Sequence, residues 1–203
     1  MTFFVTHPAT VLQLTGEHLV LVLVALAIAL AIAVPLGVLG ARRPRLGAAI
    51  MAIDGALYTI PSLALLAVLV VAVGIGPPSA IVALVIYAQL ALVRGVVAGL
   101  RGVDPAIVDA ARGLGMSSRQ ALLRVELPAA LPVVLGGVRI AAVTLVALAT
   151  VAAWIDAGGL GTLIFEGLAT HHTEPVVAGA LAAAVLAILI DVVLRLGERA
   201  VRT

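Results

Sequence analysis

Few side chains in this sequence could carry out chemistry. There is no cysteine, which excludes disulfides and thiolate metal sites. There is also no lysine, and a nucleotide-binding P-loop needs one to reach the phosphates. The neighbours His171 and His172 are the nearest approach to a metal site, but two adjacent imidazoles rarely converge on one ion. We therefore predict no catalytic residue, no metal and no cofactor in this chain.

Four charged side chains lie inside strongly apolar runs: Asp54, Arg94, Arg139 and Asp191. A charge at the centre of a membrane helix costs about 2.5–3.5 kcal/mol on insertion scales, so such a group needs a partner or a function. Two acids and two bases favour structural ion pairs between helices, and Arg139 and Asp191 are expected to meet. A proton or ion relay is the alternative.

The elements that must position these residues are membrane helices. The chain is 64% hydrophobic and 11% charged, whereas soluble domains have about 25% charged residues. A span needs about 20 apolar residues, and five segments qualify. We predict one all-α, polytopic transmembrane domain over residues 1–203. Its expected spans cover residues 18–40, 51–74, 79–100, 131–155 and 175–196.

The basic residues predict the orientation in the membrane. All 12 are arginines, and basic residues accumulate in cytoplasmic loops. They fall after the first span, around the segment between the third and fourth spans, and after the fifth, at residues 42, 43, 45, 94, 101, 112, 119, 124, 139, 195, 199 and 202. We expect the N-terminus and the 156–174 loop outside, and the C-terminus and the 41–50 and 101–130 loops in the cytoplasm. This spread lacks the clustering of a nucleic-acid surface.

Polar side chains that could line a pathway lie in the second and third spans. They are Tyr58, Ser62, Tyr87 and Gln89, and Pro61 can free backbone carbonyls toward a cavity. Ordinary helix packing is the alternative for each. With one Trp, two Tyr and three Phe, an aromatic cage for a quaternary ammonium ion is hard to assemble within one subunit.

The segment between the third and fourth spans, residues 103–132, predicts two short helices. Asp104 is a good N-cap with Pro105 at the first helical position. Gly113 and Gly115 can adopt the left-handed conformation that ends a helix.

The second of these helices is predicted to begin with a capping box of Ser117 and Gln120 and to end at Pro128. The segment is either a plain connector or a stiff helical unit held against the membrane.

Several motifs in chain order resemble a known family. Asp109-Ala110-Ala111, then Gly115, then Leu127-Pro128 resembles the EAA motif of permease subunits of binding-protein-dependent ABC importers. From about residue 18 onward the chain is similar to short osmoprotectant permeases for glycine betaine, carnitine or choline. The segments that carry this further resemblance are Thr59-Ile60-Pro61-Ser62-Leu63-Ala64-Leu65, Val125-Glu126-Leu127-Pro128, Ala157-Gly158-Gly159-Leu160-Gly161 and Val177-Ala178-Gly179-Ala180.

The resemblance implies a type I ABC importer permease fold in which residues 106–116 form a coupling helix for a cytoplasmic ATPase. The residues assigned to this contact are Asp109, Ala110, Ala111, Gly113, Gly115 and Met116. Asp109 stands where the motif usually has Glu, which shortens the reach of the carboxylate by one methylene.

The function that the resemblance implies is ATP-driven import of a compatible solute across a bacterial or archaeal plasma membrane. The implied partners are an ABC ATPase dimer that binds ATP and magnesium, a second permease subunit, and an extracytoplasmic solute-binding protein. A methionine-type or other amino-acid importer permease is the nearest alternative. A proton-coupled carrier and a membrane enzyme are the alternatives from other classes.

Overall fold

A computed structural model describes residues 2–201 of the chain; Arg202, one of the twelve arginines, lies outside this range. Within it the chain is almost entirely helical, with no β-strand. Its α-helices are α1 Thr2–Thr6, α2 Pro8–Arg42, α3 Pro44–Tyr58, α4 Ser62–Val73, α5 Pro77–Arg101, α6 Pro105–Gly113, α7 Ser118–Ala121, α8 Leu127–Ala152, α9 Gly161–Ala169 and α10 Thr173–Val201. A π-helical turn, Leu122–Glu126, joins α7 to α8, and a 3-10 turn, Ala153–Ile155, follows α8.

Four helical segments of the described residues are long and apolar enough to cross a membrane: Pro8–Arg42, Pro77–Arg101, Ser118–Ile155 and Thr173–Ala200. The pair α3 and α4 passes the same test together but is bent by 94°. If this pair crosses as one broken span, the number of spans is five, as predicted.

The predicted second span over residues 51–74, whose helix Pro61 was expected to kink, is broken between Tyr58 and Ser62. Pro61 disfavours helical backbone at Ile60 before it. The Tyr87 hydroxyl on α5 donates to the freed carbonyl of Ile60, and the Thr59 hydroxyl donates to Ala56 O at 2.7 Å. The break is therefore satisfied by polar partners rather than exposed to lipid.

Three predicted loops and ends also differ from the structure. The first membrane helix begins at Pro8, before the predicted residue 18, and the predicted loop at 41–50 is mostly the start of α3. The corner is tight because a Cβ on Gly47 would lie 2.5 Å from the carbonyl oxygen of Gly40. The predicted outer loop at 156–174 contains the helix α9.

Pro128 does not stop the second short helix, so this prediction is wrong. The helix continues from Ser118 through the π-helical turn into α8. In this turn the N–H of Leu127 donates to the carbonyl of Leu122, five residues back. Pro128 lacks the N–H that a continuous helix would donate, and the π-helical turn just before it accommodates this missing bond. The fourth span is therefore continuous with the helical segment before it.

Helix α5 lies at the centre of the bundle and packs against α2 on one side and α8 on another. Small residues allow the α5–α8 crossing: a Cβ on Gly95 would lie 3.1 Å from Gly137 Cα, and one on Gly99 would lie 3.0 Å from Ala130 O. Backbones approach this closely where membrane helices pack through glycine. Gly136, beside Gly137, has nothing within 4 Å of such a Cβ and faces open space.

Candidate functional site

Residues 105–126, which comprise α6, α7 and the π-helical turn, are here named the coupling unit. Asp104 caps α6, since its Oδ1 accepts from Ala106 N at 2.9 Å. The helix ends in a Schellman arrangement, in which Met116 N donates to Ala111 O at 3.2 Å and Gly115 N donates to Arg112 O at 2.9 Å. The predicted capping box that begins α7 is also confirmed.

Only one of the two predicted turn glycines has left-handed backbone. Gly115 has a φ of +83°, whereas Gly113 is the last residue of α6. A side chain at either position would meet nothing within 4 Å. The requirement for glycine at 115 is therefore one of backbone conformation rather than of space.

Helix α6 presents a mixed polar and apolar surface that no other part of the described chain covers. The side chain of Asp109 is 74% exposed and lies 3.6 Å from Arg112 Nη1, and Leu114 is 81% exposed. Ala110 is exposed, but Ala111 is buried and Met116 is half-buried. Ala111 therefore packs inside the coupling unit, and this corrects its expected role in admitting a partner.

An ion pair that the sequence reasoning did not identify joins the coupling unit to the first membrane helix. Arg42 Nη2 at the end of α2 lies 2.7 Å from Glu126 Oε1, and the Glu126 side chain is only 6% exposed. Arg101 Nη2, at the end of α5, donates to Gly40 O at 3.0 Å. The sequence does contain a signal for this ion pair: Glu126 lies between apolar neighbours in Val-Glu-Leu-Pro, and such an acid needs a basic partner.

A groove of about 520 Å³ opens between α5 and α8, beside the α3–α4 break. Its lining is mostly apolar, and it is here named the α5–α8 groove. The lining residues are Tyr58, Tyr87, Leu90, Ala91, Arg94, Gly95, Ala98, Val133, Gly136, Gly137, Ile140, Ala141 and Thr144. The Tyr58 and Tyr87 rings meet edge-on, with centroids 5.9 Å apart and planes at 79°. The volume is that of a small-molecule site, which typically has about 300–1,000 Å³.

The structure brings together two of the five predicted pathway residues. Pro61 and Ser62 lie at the α3–α4 break, outside this groove, and Ser62 faces a much smaller space between α4, α5 and α8. Gln89 faces away from the groove, because its Nε2 donates to Ala29 O of α2 at 3.3 Å. Gln89 is thus a contact between helices, which corrects its assignment to the pathway.

The predicted contact between Arg139 and Asp191 is present, with Nε 3.0 Å from Oδ1. A third member was not predicted: Arg139 Nη1 lies 3.2 Å from Glu198 Oε2. Asp191 and Glu198 are seven residues apart on α10, a spacing that places both on one helix face. One arginine of α8 therefore holds two acids of α10.

Asp54 and Arg94 do not pair in the described part of the chain, so the expectation of two balanced pairs is half wrong. Asp54 is 7% exposed, and its Oδ2 has no hydrogen-bond partner there. Arg94 faces the α5–α8 groove and forms no ion pair with any described carboxylate within 4.0 Å.

We expect Arg139→Gln to destabilise the bundle more than Asp191→Asn does. The first change removes the cation partner of Asp191 and one partner of Glu198, whereas the second leaves the contact of Arg139 with Glu198 in place. Adding Asp191→Asn to Arg139→Gln should recover about 1 kcal/mol. Thermal unfolding of the purified variants measures this, and additive losses would reject the three-residue cluster.

At the opposite end of α2, Glu17 and His18 hold the Gly-rich segment Ala157-Gly158-Gly159-Leu160-Gly161. His18, the first residue of the first predicted span, is fully buried. Leu160 N donates to His18 Nδ1 at 3.3 Å, and Val146 O lies 3.0 Å from Nε2. This pattern requires a neutral ring that carries its proton on Nε2.

Glu17 completes this contact, because its Oε2 accepts from Gly159 N at 3.2 Å. Gly158 and Gly159 have φ values of +78° and +79°, and a Cβ on Gly159 would lie 2.9 Å from His18 Nδ1. The polar residues Glu17 and His18 at the start of an apolar run indicated that a contact was needed here. The sequence alone did not indicate that the Gly-rich segment would be the partner.

Comparison with known proteins places this geometry in context. Residues 33–203 match the family described as binding-protein-dependent transport system inner membrane component. The chain is 37% identical to a carnitine transport permease protein of Listeria monocytogenes, over 100% of this chain and 95% of that protein. It is 38% identical to a glycine betaine/carnitine/choline transport system permease protein of Bacillus subtilis, over 99% and 93%.

A structural relative supports the same fold. A chain of the MetNI methionine ABC transporter, in an inward-facing conformation, superimposes with a TM-score of 0.82 at 28% sequence identity. The match covers 92% of this chain and 94% of that one. The all-α architecture described above is thus that of an ABC importer permease.

Proposed function

Because the chain belongs to the family of binding-protein-dependent transport system inner membrane components, we propose that it is the permease subunit of an ATP-driven importer for compatible solutes. The solute class consists of glycine betaine, carnitine and choline. The observation that carries the proposal is the α5–α8 groove, which lies beside helices that continue into the exposed coupling unit. Relatives named for these solutes match the full chain.

Energy for transport comes from a separate ATPase, as in the ABC importer relatives. ATP and magnesium bind to two ATPase subunits, and α6 docks on one of them through Asp109, Ala110 and Leu114. Because α7, the π-helical turn and α8 form one continuous helical segment, a displacement of α6 is transmitted to the groove wall. The Arg42–Glu126 pair carries the same displacement to α2.

A second permease chain, identical or homologous, covers the α5–α8 groove and completes the pathway. An extracytoplasmic binding protein delivers the solute.

The arginine distribution supports an orientation in the plasma membrane with the N-terminus outside and the C-terminus in the cytoplasm. In this orientation the segment from Ala157 to α9 faces the binding protein. ATP binding would bring the two copies of α6 together and open the pathway outward, and hydrolysis would reset it.

Uptake by the reconstituted complex, with its own binding protein, tests the solute class. We expect ATP-dependent accumulation of labelled glycine betaine and no accumulation of labelled methionine. Empty liposomes and complex without ATP are the controls. Methionine uptake without betaine uptake would contradict the solute class and favour the function of the MetNI relative, while leaving the chain an importer permease.

A further inference from the structure

Two tyrosines and one arginine give the α5–α8 groove its polar chemistry. Tyr87 is 5% exposed, and its orientation is set by the bond from its hydroxyl to Ile60 O. Tyr58, which is 45% exposed, stands nearly perpendicular to it. Two rings at right angles form a corner, and tyrosine faces attract a quaternary ammonium group within about 6 Å of the ring centroid.

Arg94 lies on the same face of α5 as Tyr87, two turns further along. Seven residues correspond to about 10.5 Å of helix axis. Helical side chains lean toward the N-terminus of their helix, which for Arg94 is the direction of Tyr87. The planar guanidinium of an arginine binds a carboxylate through two parallel hydrogen bonds.

The charge of the groove selects between solutes. No Asp or Glu is among its lining residues, and Arg94 is its one charged member. A solute that is only a cation would therefore meet an uncompensated positive charge. A zwitterion with a quaternary ammonium at one end and a carboxylate at the other has complementary charges at both ends.

We propose that the α5–α8 groove is a binding site for carboxylate-bearing quaternary ammonium solutes. The Tyr58–Tyr87 corner holds the ammonium group, and Arg94 holds the carboxylate. Glycine betaine and carnitine can contact both ends of this site, whereas choline, which lacks a carboxylate, contacts only the Tyr58–Tyr87 corner and binds more weakly. This inference rests on the proposed function and adds a discrimination made within the membrane, after the binding protein has released its solute.

Binding to the reconstituted complex without its binding protein tests the proposal. Saturation-transfer NMR can follow the trimethylammonium protons, which glycine betaine and choline share. We expect wild type to bind betaine more tightly than choline. Arg94→Gln should weaken betaine binding by about tenfold or more, since a charged hydrogen-bonded pair is lost. It should not weaken choline binding, and should tighten it, because the same change removes a positive charge that choline meets in the groove.

Two further variants make the result interpretable. Tyr58→Ala should weaken both solutes, because both share the ammonium group. Arg195→Gln removes the same charge from an exposed position on α10, outside the groove and the coupling unit, and should change neither. Equal loss of betaine and choline in Arg94→Gln, or no loss of either, would overturn the site. If the wild-type complex neither binds nor transports either solute, the proposed function fails, and this inference fails with it.

Discussion

Gly115→Val should lower solute uptake and solute-stimulated ATP hydrolysis about tenfold or more while the chain still inserts into the membrane. Gly115 adopts a φ of +83°, and a β-branched residue there costs about 1–3 kcal/mol of strain. Relief of that strain would undo the Schellman turn and shift α6 relative to α7. Because α6 is the proposed contact with the ATPase, we expect at least a tenfold fall in uptake, as the competent turn becomes a minor population.

Gly197→Val is the matched control for this prediction. Gly197 is helical and lies in α10, outside the coupling unit, and a Cβ there meets nothing within 4 Å, so this variant should transport normally. Both variants are compared in proteoliposomes at equal amounts of inserted chain. Normal transport by Gly115→Val would mean that residues 106–116 are only a connector.

The second large effect is expected from His18→Leu, which should destabilise the complex and reduce uptake. Leucine leaves the buried N–H of Leu160 without its acceptor, and removal of one partner from a buried polar group costs about 1–3 kcal/mol. The segment from Ala157 to Gly161 would then lose its link to α2. Thermal unfolding and ATP-dependent uptake of the purified, reconstituted variant measure the two consequences.

Two other histidine variants distinguish the effect of losing the His18 hydrogen bonds from the effect of replacing a histidine ring. His18→Gln keeps one donor and one acceptor and should recover part of the stability. His172→Leu makes the same change at an exposed position and should have little effect. If His18→Leu is as stable and active as His172→Leu, the contact between α2 and the Gly-rich segment contributes neither to stability nor to transport.

Local signals in the sequence predicted local structure well. The Asp104 N-cap, the Ser117–Gln120 capping box and the left-handed Gly115 depend on residues within five positions of one another, so their types and spacing decide the outcome. Apolar length also predicted the membrane-crossing segments, of which the described residues contain four, together with the bent α3–α4 pair. The Arg139–Asp191 contact was also predictable, because both charges needed a partner at the same end of the bundle.

Features that depend on packing between distant helices could not be predicted. The 94° bend at Pro61 is stabilised by Tyr87 on another helix, and the π-helical turn accommodates Pro128 by a hydrogen-bonding register that composition does not encode. The buried contacts of His18 and Gln89 could not be predicted for the same reason. Their partners are backbone groups of Leu160 and Ala29. Almost every residue carries such groups, so the sequence does not show which of them will form the bond.

The source of energy for transport tests the central claim most directly. Labelled glycine betaine uptake is measured in proteoliposomes that contain either the whole complex or this chain alone, each with ATP or with an imposed pH gradient. We predict accumulation only with the whole complex, and only with ATP and magnesium on the membrane face where α6 lies. Accumulation by this chain alone, driven by the pH gradient without ATP, would contradict the account and identify a proton-coupled carrier.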